Sequence, residues 1–302
     1  MKARGWTARV LLGGLLLLAS VATSNGQAPA STLEHIAETG TIRIGYSPDS
    51  APFSYLDADD TIVGYSIDLC KRVAQLLQQQ LGLAELDIAY VRRTPSDRVA
   101  LLKSGDIDIE CVASTNNAER RASVAFSYPH FLTAVQFIAL KDGGPRFVAD
   151  LKGRTVASTS GTTVISKLNA LSREQNLNIA VVPTPDHETG FDLMATGHVS
   201  AFVMDGILLS TMAANADDPS LYEVSSDAMG APEPYGLMLR HDDVAFTEAV
   251  NAALFEIYTQ GEIGTIYDKW FTEPIPPRGI NLNLPMSNAL QAAFAIPTMV
   301  GD

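Results

Sequence analysis

Seven polar side chains stand directly after short apolar segments of this sequence, or open the segment that follows. They are Arg98, Thr115, Arg120, Thr159, Thr162, His187 and Asp205. If the apolar segments are parallel strands, these side chains gather where the strands end, beside the free N–H groups of helix N-termini. Two cations, one carboxylate and several hydroxyls form a combination that suits a free amino acid, whose two poles carry opposite charge.

Each of these residues also has an ordinary structural explanation. Arg98 and Arg120 can be solvated helix arginines, and His187 can be a loop histidine. Asp205 can be the N-cap of the helix that follows it. The threonines on either side of Gly161 can hold an anion with their hydroxyls, or one of them can cap a helix. The sequence leaves these alternatives open.

Alternating strand and helix patterns must position these side chains. The predicted strands are 41–46, 87–92, 106–111, 154–158, 179–183, 199–204 and 235–240. The predicted helices are 66–80, 96–103, 162–175, 188–196, 206–214, 243–260 and 262–271. Ser66 is the expected N-cap of the first helix, and Thr94 followed by Pro95 is expected to begin the second. Alternation at these spacings indicates parallel sheets covered by helices, which is an α/β fold.

The middle of the chain has the pattern of a second α/β unit inserted into the first. We predict a signal peptide at 1–30, a first lobe made of 31–140 and 237–302, and a second lobe at 141–236. Strand-like crossings near 135–140 and 235–240 would join the lobes, and two such connections would form a hinge.

The first thirty residues have the composition of a secretory signal. Lys2, Arg4 and Arg9 precede the apolar stretch 10–21, which is too short to span a bilayer, and a small-residue cleavage candidate ends at Ala30. We therefore expect a periplasmic protein. No cysteine lies near the cleavage region, which argues against a lipid anchor, and no later apolar run approaches the length of a membrane helix.

Cys70 and Cys111 are the two cysteines of the chain. In an oxidising compartment they can form a disulfide, and the alternative is a pair of buried free thiols.

The charge of the chain argues against nucleic acid as a partner. Three of the 21 basic residues and none of the 34 acidic residues lie in the predicted signal, so the remainder has a net charge of −16. The five histidines show no metal-binding spacing, and we expect no metal and no cofactor. Known nucleophile and phosphate-loop motifs are missing too. The best catalytic pair would be His187 with Asp205, but no activated nucleophile accompanies it.

Nine sequence segments, in order and spacing, resemble the periplasmic amino-acid-binding proteins of ABC transporters, solute-binding protein family 3. They are "APFSY", "VGYSIDLC", "STNNAERR", "AFSYPHF", "DLKGRTVASTSGTT", "AFVMDGILL", "PYGLMLR", "YDKWFTEPIPP" and "LNLPMS". The resemblance runs from about residue 34 to 297 and is strongest with the glutamate/aspartate-binding group. It implies a two-lobed type II periplasmic binding protein fold that closes on one amino acid.

The resemblance also implies roles for individual residues. Arg120 would bind the α-carboxylate, Asp205 would accept the α-ammonium, and Thr115 with the carbonyl of Ala113 would contact both groups. The remaining subsite, for the ligand side chain, would be lined by Arg98, Thr159, Thr162 and His187.

Two positions depart from the pattern of relatives that take glutamate and aspartate. Ser47 stands where those relatives carry an arginine after the first strand, and Pro95 stands where they carry a serine. One cation of the side-chain subsite is therefore missing, and losing such a contact of about 1.5 to 3 kcal/mol would weaken affinity or specificity roughly ten- to a hundredfold if nothing replaces it. Glutamine and asparagine become competitors of the acidic amino acids.

The sequence thus predicts a monomeric periplasmic receptor that binds a free L-amino acid and presents it to the membrane permease of an ABC transporter. The first alternative is an enzyme on the same scaffold, such as a dehydratase of an amino-acid-like acid. The second is a sensory module that reports the ligand to a signalling partner.

Overall fold

The computed structural model describes Met1, Lys2 and residues 31–300. The predicted signal and its cleavage candidate fall almost entirely outside the described residues. From Ser31 onward the chain forms one compact unit. Within these described residues, every helix is too short or too polar to cross a bilayer.

The strands form two five-stranded sheets and one small sheet. In chain order they are β1 Thr41–Tyr46, β2 Asp49–Ser50, β3 Ser54–Leu56, β4 Ile62–Val63, β5 Asp87–Arg92, β6 Ile109–Glu110, β7 Val124–Thr133, β8 Val135–Leu140, β9 Thr155–Thr159, β10 Ala180–Thr184, β11 Ala201–Asp205, β12 Tyr222–Val224 and β13 Glu233–Arg240. The first sheet has the order β5-β1-β6-β13-β7, and the second has the order β10-β9-β11-β8-β12. Strands β2, β3 and β4 form the small sheet.

The helices pack on these sheets. In chain order they are α1 Thr32–Thr39, α2 Tyr65–Gln80, α3 Arg98–Ser104, α4 Ala118–Arg121, α5 Val164–Glu174, α6 His187–Ala195, α7 Gly206–Asn215, α8 Val244–Thr259, α9 Glu262–Phe271 and α10 Asn288–Ala295. Short 3-10 helices cover Val148–Leu151 and Pro219–Leu221.

Both large sheets have a parallel core. In the first sheet β1 runs parallel to β5 and β6, and β13 is antiparallel to β6 and β7. In the second sheet β9 runs parallel to β10 and β11, and β8 is antiparallel to β11 and β12. The carboxyl ends of the parallel strands are the edges where loops and helix N-termini can form a site.

The chain passes from the first sheet to the second at Ala134, between β7 and β8, and returns between β12 and β13. The predicted crossings at 135–140 and 235–240 are therefore complete strands of one sheet each. The sheet boundary lies at Ala134 and not at residue 140, because β8 is hydrogen-bonded to β11 and β12. The assignment of lobes at those boundaries stays a prediction.

Two helices begin at other residues than the sequence predicts. Helix α2 begins at Tyr65 and not at Ser66, because the hydroxyl of Ser66 donates to Val112 O at 2.9 Å and does not cap the helix. The N-cap position is Gly64, where a Cβ atom would lie 2.2 Å from Phe53 O. Helix α3 begins two residues later than predicted, since the segment after Thr94 forms a turn before it.

Cys70 and Cys111 form a disulfide, so of the two alternatives the structure contains the bonded one. Both residues are buried, and the bond connects helix α2 to the residue that follows β6. Helix α2 is thereby fixed beneath the segment that leads from β6 to helix α4.

An aromatic cluster fills the core of the first sheet around a buried histidine. The rings of Phe53, Tyr65 and Tyr235 have centroids 5.7 to 6.4 Å from the imidazole of His130. Neither ring nitrogen of His130 has a hydrogen-bond partner among the described residues. Burial lowers the pKa of His130 to about 3, so the imidazole is neutral inside the fold.

Candidate functional site

The ends of the parallel strands in the two large sheets face one cavity. The space enclosed is about 310 Å³, including the part that opens to solvent. Seven of the eight predicted site residues line it, namely Arg98, Ala113, Thr115, Arg120, Thr162, His187 and Asp205. The first four lie on helices and loops that connect strands of the first sheet, and the last three lie on β11 and on segments that connect strands of the second. The structure brings these side chains together, and their role in ligand binding stays a prediction.

Arg98 and Arg120 are the two predicted cations, and neither is a freely solvated surface arginine. Arg98 opens helix α3 with 4% of its surface exposed, and it donates from Nη1 to Ser114 Oγ at 3.1 Å and from Nη2 to Gly161 O at 2.8 Å. Arg120 donates from Nη1 to Thr115 O at 3.0 Å. Burial lowers the pKa of both groups, that of Arg98 to about 9, and both guanidiniums remain charged at neutral pH.

The segment around Thr115 is positioned by backbone pairing. Asn116 N donates to Pro234 O at 2.8 Å, and Gly236 N donates to Ser114 O at 3.1 Å, so this segment extends the edge of β13. Thr115 is buried against that edge. The carbonyl of Thr115 is thus held beside the Arg120 guanidinium.

Asp205 ends β11 at the N-cap position of helix α7, but its side chain makes no capping hydrogen bond. Its Oδ2 instead accepts from the hydroxyl of Tyr235 at 2.5 Å, and its buried Oδ1 has no partner among the described residues. Burial raises the pKa of Asp205 to about 6. An unpaired buried carboxylate oxygen at a cavity is suited to accept a ligand ammonium.

His187 is the first residue of helix α6, whose N-cap is Asp186, and it is buried rather than in an exposed loop. Burial lowers the pKa of His187, so its imidazole is neutral at pH 7. Its Nδ1 is hydrogen-bonded to Thr159 Oγ1 at 2.8 Å.

Thr159 is the one predicted site residue that does not line the cavity. It is the last residue of β9 and is fully buried, and its carbonyl accepts from Thr162 Oγ1 at 2.7 Å. Its hydroxyl is occupied by His187. Thr159 therefore lies behind the cavity and orients two residues that do line it.

An ion pair at the ends of β5 and β6 was not predicted from the sequence. Arg93 follows β5 directly, lines the cavity and is 2% exposed. Its Nε lies 2.7 Å from Oε1 of Glu110, which ends β6 and is completely buried. Burial would raise the pKa of Glu110, but Arg93, Arg98 and a hydrogen bond from Ser114 lower it below the ordinary value. The other lining residues that were missed are Ser50, Thr163, Met204 and Leu208.

Ser47 and Pro95, the two positions that depart from the family pattern, differ in their location relative to the cavity. Ser47 is buried beside the cavity without lining it, and its hydroxyl donates to Asp49 Oδ1 at 2.8 Å. Pro95 does line the cavity. Its carbonyl lies so near Gly161, where φ is +75°, that a Cβ atom at this glycine would be 2.5 Å from the oxygen. Glycine is required there by both the close approach and the backbone conformation.

Direct contacts join the two sides of the cavity. Besides the bond from Arg98 to Gly161 O, the backbone N–H of His187 donates to Asp49 Oδ2 at 3.0 Å. Lys167 on helix α5 forms an ion pair of 2.8 Å with Glu233 at the start of β13. The structure is thus a closed arrangement in which each side contributes polar groups to the other.

This arrangement can bind a small charged molecule by both ends. The described residues contain no group of three or more histidine, cysteine, aspartate or glutamate side chains placed to hold a metal ion. The guanidiniums, the carboxylate and the hydroxyls that line the cavity are the charged and polar groups available to such a molecule.

Comparisons with known proteins agree with this geometry. A family model for bacterial extracellular solute-binding proteins, family 3, matches residues 42–273. The L-glutamate/L-aspartate-binding protein of Pseudomonas aeruginosa is 39% identical over 268 residues, which are 88% of either chain. The glutamate/aspartate import solute-binding protein of Escherichia coli K12 is 36% identical over 288 residues, 94% of either chain.

Among solved structures, a mutant of ArgBP from T. maritima superposes with a TM-score of 0.70 at 28% identity, covering 79% of this chain and 98% of that one. The predicted two-lobed type II binding protein fold is confirmed. The named relatives are binding proteins, which supports the prediction that the chain is not an enzyme. The chain belongs to the bacterial extracellular solute-binding proteins of family 3.

Proposed function

We propose that this chain is the periplasmic substrate-binding component of an amino-acid ABC transporter and that its ligand is glutamate or aspartate. One observation carries the proposal: Arg120, on helix α4 between two strands of the first sheet, and Asp205, on β11 of the second sheet, reach the same cavity with opposite charges. A free amino acid satisfies both groups at once, because its carboxylate and ammonium are joined through one carbon atom.

The α-carboxylate is assigned to Arg120 and the α-ammonium to Asp205. Thr115 and the carbonyl of Ala113 lie in the same wall of the cavity and complete the hydrogen bonds of these two groups. The unpaired Oδ1 of Asp205 receives the ammonium, while Tyr235 continues to hold Oδ2.

The ligand side chain is assigned to the part of the cavity lined by Arg98, Thr162 and His187. Thr159 supports this subsite from behind and makes no ligand contact. The acidic class of ligand is supported by two relatives that are named for binding glutamate and aspartate. Arg98 offers a charged donor that a side-chain carboxylate would accept from.

Ligand binding would stabilise the closed arrangement, because the ligand contacts both sheets and the open form loses half of these contacts. The membrane permease would then recognise the closed form. Affinity in the micromolar range corresponds to about −8 kcal/mol, which is within reach of a ligand of about ten heavy atoms. We expect a monomer, and the acidic net charge of −13 disfavours nucleic acid as a partner.

A thermal-shift screen with the twenty amino acids tests the ligand class. A ligand that binds the native state raises its melting temperature by mass action, so glutamate and aspartate are expected to give the largest shifts. Mass spectrometry of the ligand after incubation should recover it unchanged. New products in stoichiometric amount would instead support the enzyme alternative.

Calorimetry of an Arg120→Ala variant tests the assigned contact. Removing a buried charged partner costs about 3 kcal/mol or more, so glutamate affinity should fall at least a hundredfold while the protein stays folded. Arg121→Ala is the matched control, because Arg121 lies on the same helix and donates to Asn116 Oδ1 at 2.8 Å, away from the cavity. Near-normal affinity of the Arg120 variant would refute the proposed clamp.

A further inference from the structure

Arg93 lies beside the position where the family pattern places an arginine that this chain lacks. Strands β1 and β5 are parallel, and their register pairs Tyr46 with Arg92. The backbone N–H of Arg93 donates to Tyr46 O at 3.0 Å, which continues the ladder by one residue. Ser47 and Arg93 are therefore neighbours at the carboxyl ends of adjacent strands, and a side chain from either one can reach the same side of the cavity.

The guanidinium of Arg93 is buried but incompletely paired. Its Nε lies 2.7 Å from Oε1 of Glu110 in an ion pair, but neither Nε nor Nη1 has a hydrogen-bond partner among the described residues. A buried donor without an acceptor costs roughly 1 to 3 kcal/mol, and more for a charged group. Because Arg93 lines the cavity, a ligand oxygen can supply the acceptor that the protein does not.

The acids on this side of the cavity do not use all the donors of Arg93. Glu110 faces both Arg93 and Arg98, with its Oε1 3.8 Å from Arg98 Nη1, so one carboxylate serves two guanidiniums. Asp49 is a second nearby acid whose charge interacts with Arg93, but its oxygens accept from the Ser47 hydroxyl and the His187 N–H and offer no acceptor to Arg93 Nη1.

Arg120 and Asp205 are assigned to the two poles of the amino acid. A side-chain carboxylate would give the unpaired Arg93 donor a charge-assisted hydrogen bond, whereas the oxygen of a side-chain amide would give it only a weaker neutral one.

We infer that Arg93, at the end of β5, supplies the second cation that binds the side chain of the ligand. In relatives this cation is an arginine at the position of Ser47, at the end of β1. The inference rests on the proposed function and specifies it. Arg93 and Arg98 together bind the side-chain carboxylate, and the site selects glutamate and aspartate over glutamine and asparagine. Ser47 alone predicts weak selectivity for acidic over amide side chains. Arg93 on the neighbouring strand would restore that selectivity.

Calorimetry with glutamate and glutamine on the full protein tests this inference. In Arg93→Met, glutamate affinity should fall about ten- to a hundredfold, and glutamine affinity by no more than about fivefold. Arg93→Lys should retain most of the preference for glutamate because it keeps the charge. If Arg93→Met fails to fold because Glu110 has lost a partner, the double variant Arg93→Met with Glu110→Gln removes both charges. The affinities for glutamate and glutamine are then compared in the double variant.

The outcomes separate the two proposals. Binding of glutamate by the unaltered protein, followed by a loss of its preference over glutamine in Arg93→Met, supports the inference. Equal losses for both ligands, or an unchanged preference, would overturn the role of Arg93 and leave the proposed function standing. If the unaltered protein binds neither ligand nor any other amino acid, the proposed function fails and the inference fails with it.

Discussion

Lowering the pH from 7.5 to 5.0 should weaken ligand binding about tenfold, because it protonates the carboxylate assigned to the ammonium. The pKa of Asp205 in the ligand-free protein is raised to about 6 by burial. The ionised fraction is then nearly complete at pH 7.5 and about one tenth at pH 5.0. If only the ionised form binds, the apparent dissociation constant rises by the inverse of that fraction, which is about 1.4 kcal/mol.

The other ionisable groups of the site keep their charge over this interval. Burial lowers the pKa of His187, so it stays neutral for longer as the pH falls. Against the effect of burial, Arg93 holds the pKa of Glu110 below its ordinary value, and His187 with the hydroxyl of Ser47 does the same for Asp49. The ligand's own carboxylates remain largely ionised at pH 5.0. Asp205 is thus the group expected to titrate.

Calorimetry at a series of pH values measures this effect directly. At pH 6 binding should release about half a proton, which is detected by comparing buffers with different ionisation enthalpies. Asp205→Asn should bind weakly, with no proton release and no pH dependence between 5.0 and 7.5. Constant affinity of the unaltered protein over this range, or strong binding by the Asn variant, would show that the ammonium is held elsewhere.

Three further predictions concern closure and stability. Gly161→Ala should weaken ligand binding at least about tenfold, because its Cβ would collide with the backbone oxygen across the cavity, whereas Gly153→Ala, also at positive φ but with open space around it, should not. Replacing Cys70 and Cys111 by alanine should lower the free energy of unfolding in urea by about 4 kcal/mol, since their sequence separation is 41 residues. His130 is neutral in the fold and protonates when unfolded, so stability should fall by about 2 kcal/mol from pH 8 to pH 5, and His130→Gln should lack this slope.

The local sequence pattern was sufficient to predict the bounds of elements whose apolar residues recur regularly. The predicted bounds of β1, β5 and α9 agree with the structure. Strand β7 was missed, because it contains Pro129, which cannot donate to a ladder. The structure accommodates this proline at an irregular register opposite Gly236 of β13. Such an accommodation depends on the partner strand, which the local sequence does not specify.

The site was predictable where a polar residue follows a strand that reaches the cavity. Asp205 and His187 are of this kind. Arg93 has the same placement, but beside Arg92 it resembles one of two surface arginines. The alternation of β5 was the available signal, since Arg92 is exposed and the next residue is buried. The burial of Thr159 behind His187 depends on tertiary packing, which the local sequence does not specify.

The hydroxyl of Tyr235 affects how the ligand is released. It belongs to a strand of the first sheet, yet it holds a carboxylate of the second. If the sheets separate, Asp205 loses this donor and becomes hydrated, so its proposed contact with the ligand ammonium would end together with the contacts from the opposite side. We therefore expect ligand release to be a single cooperative event, without a populated state in which the ligand is bound by one side of the cavity only.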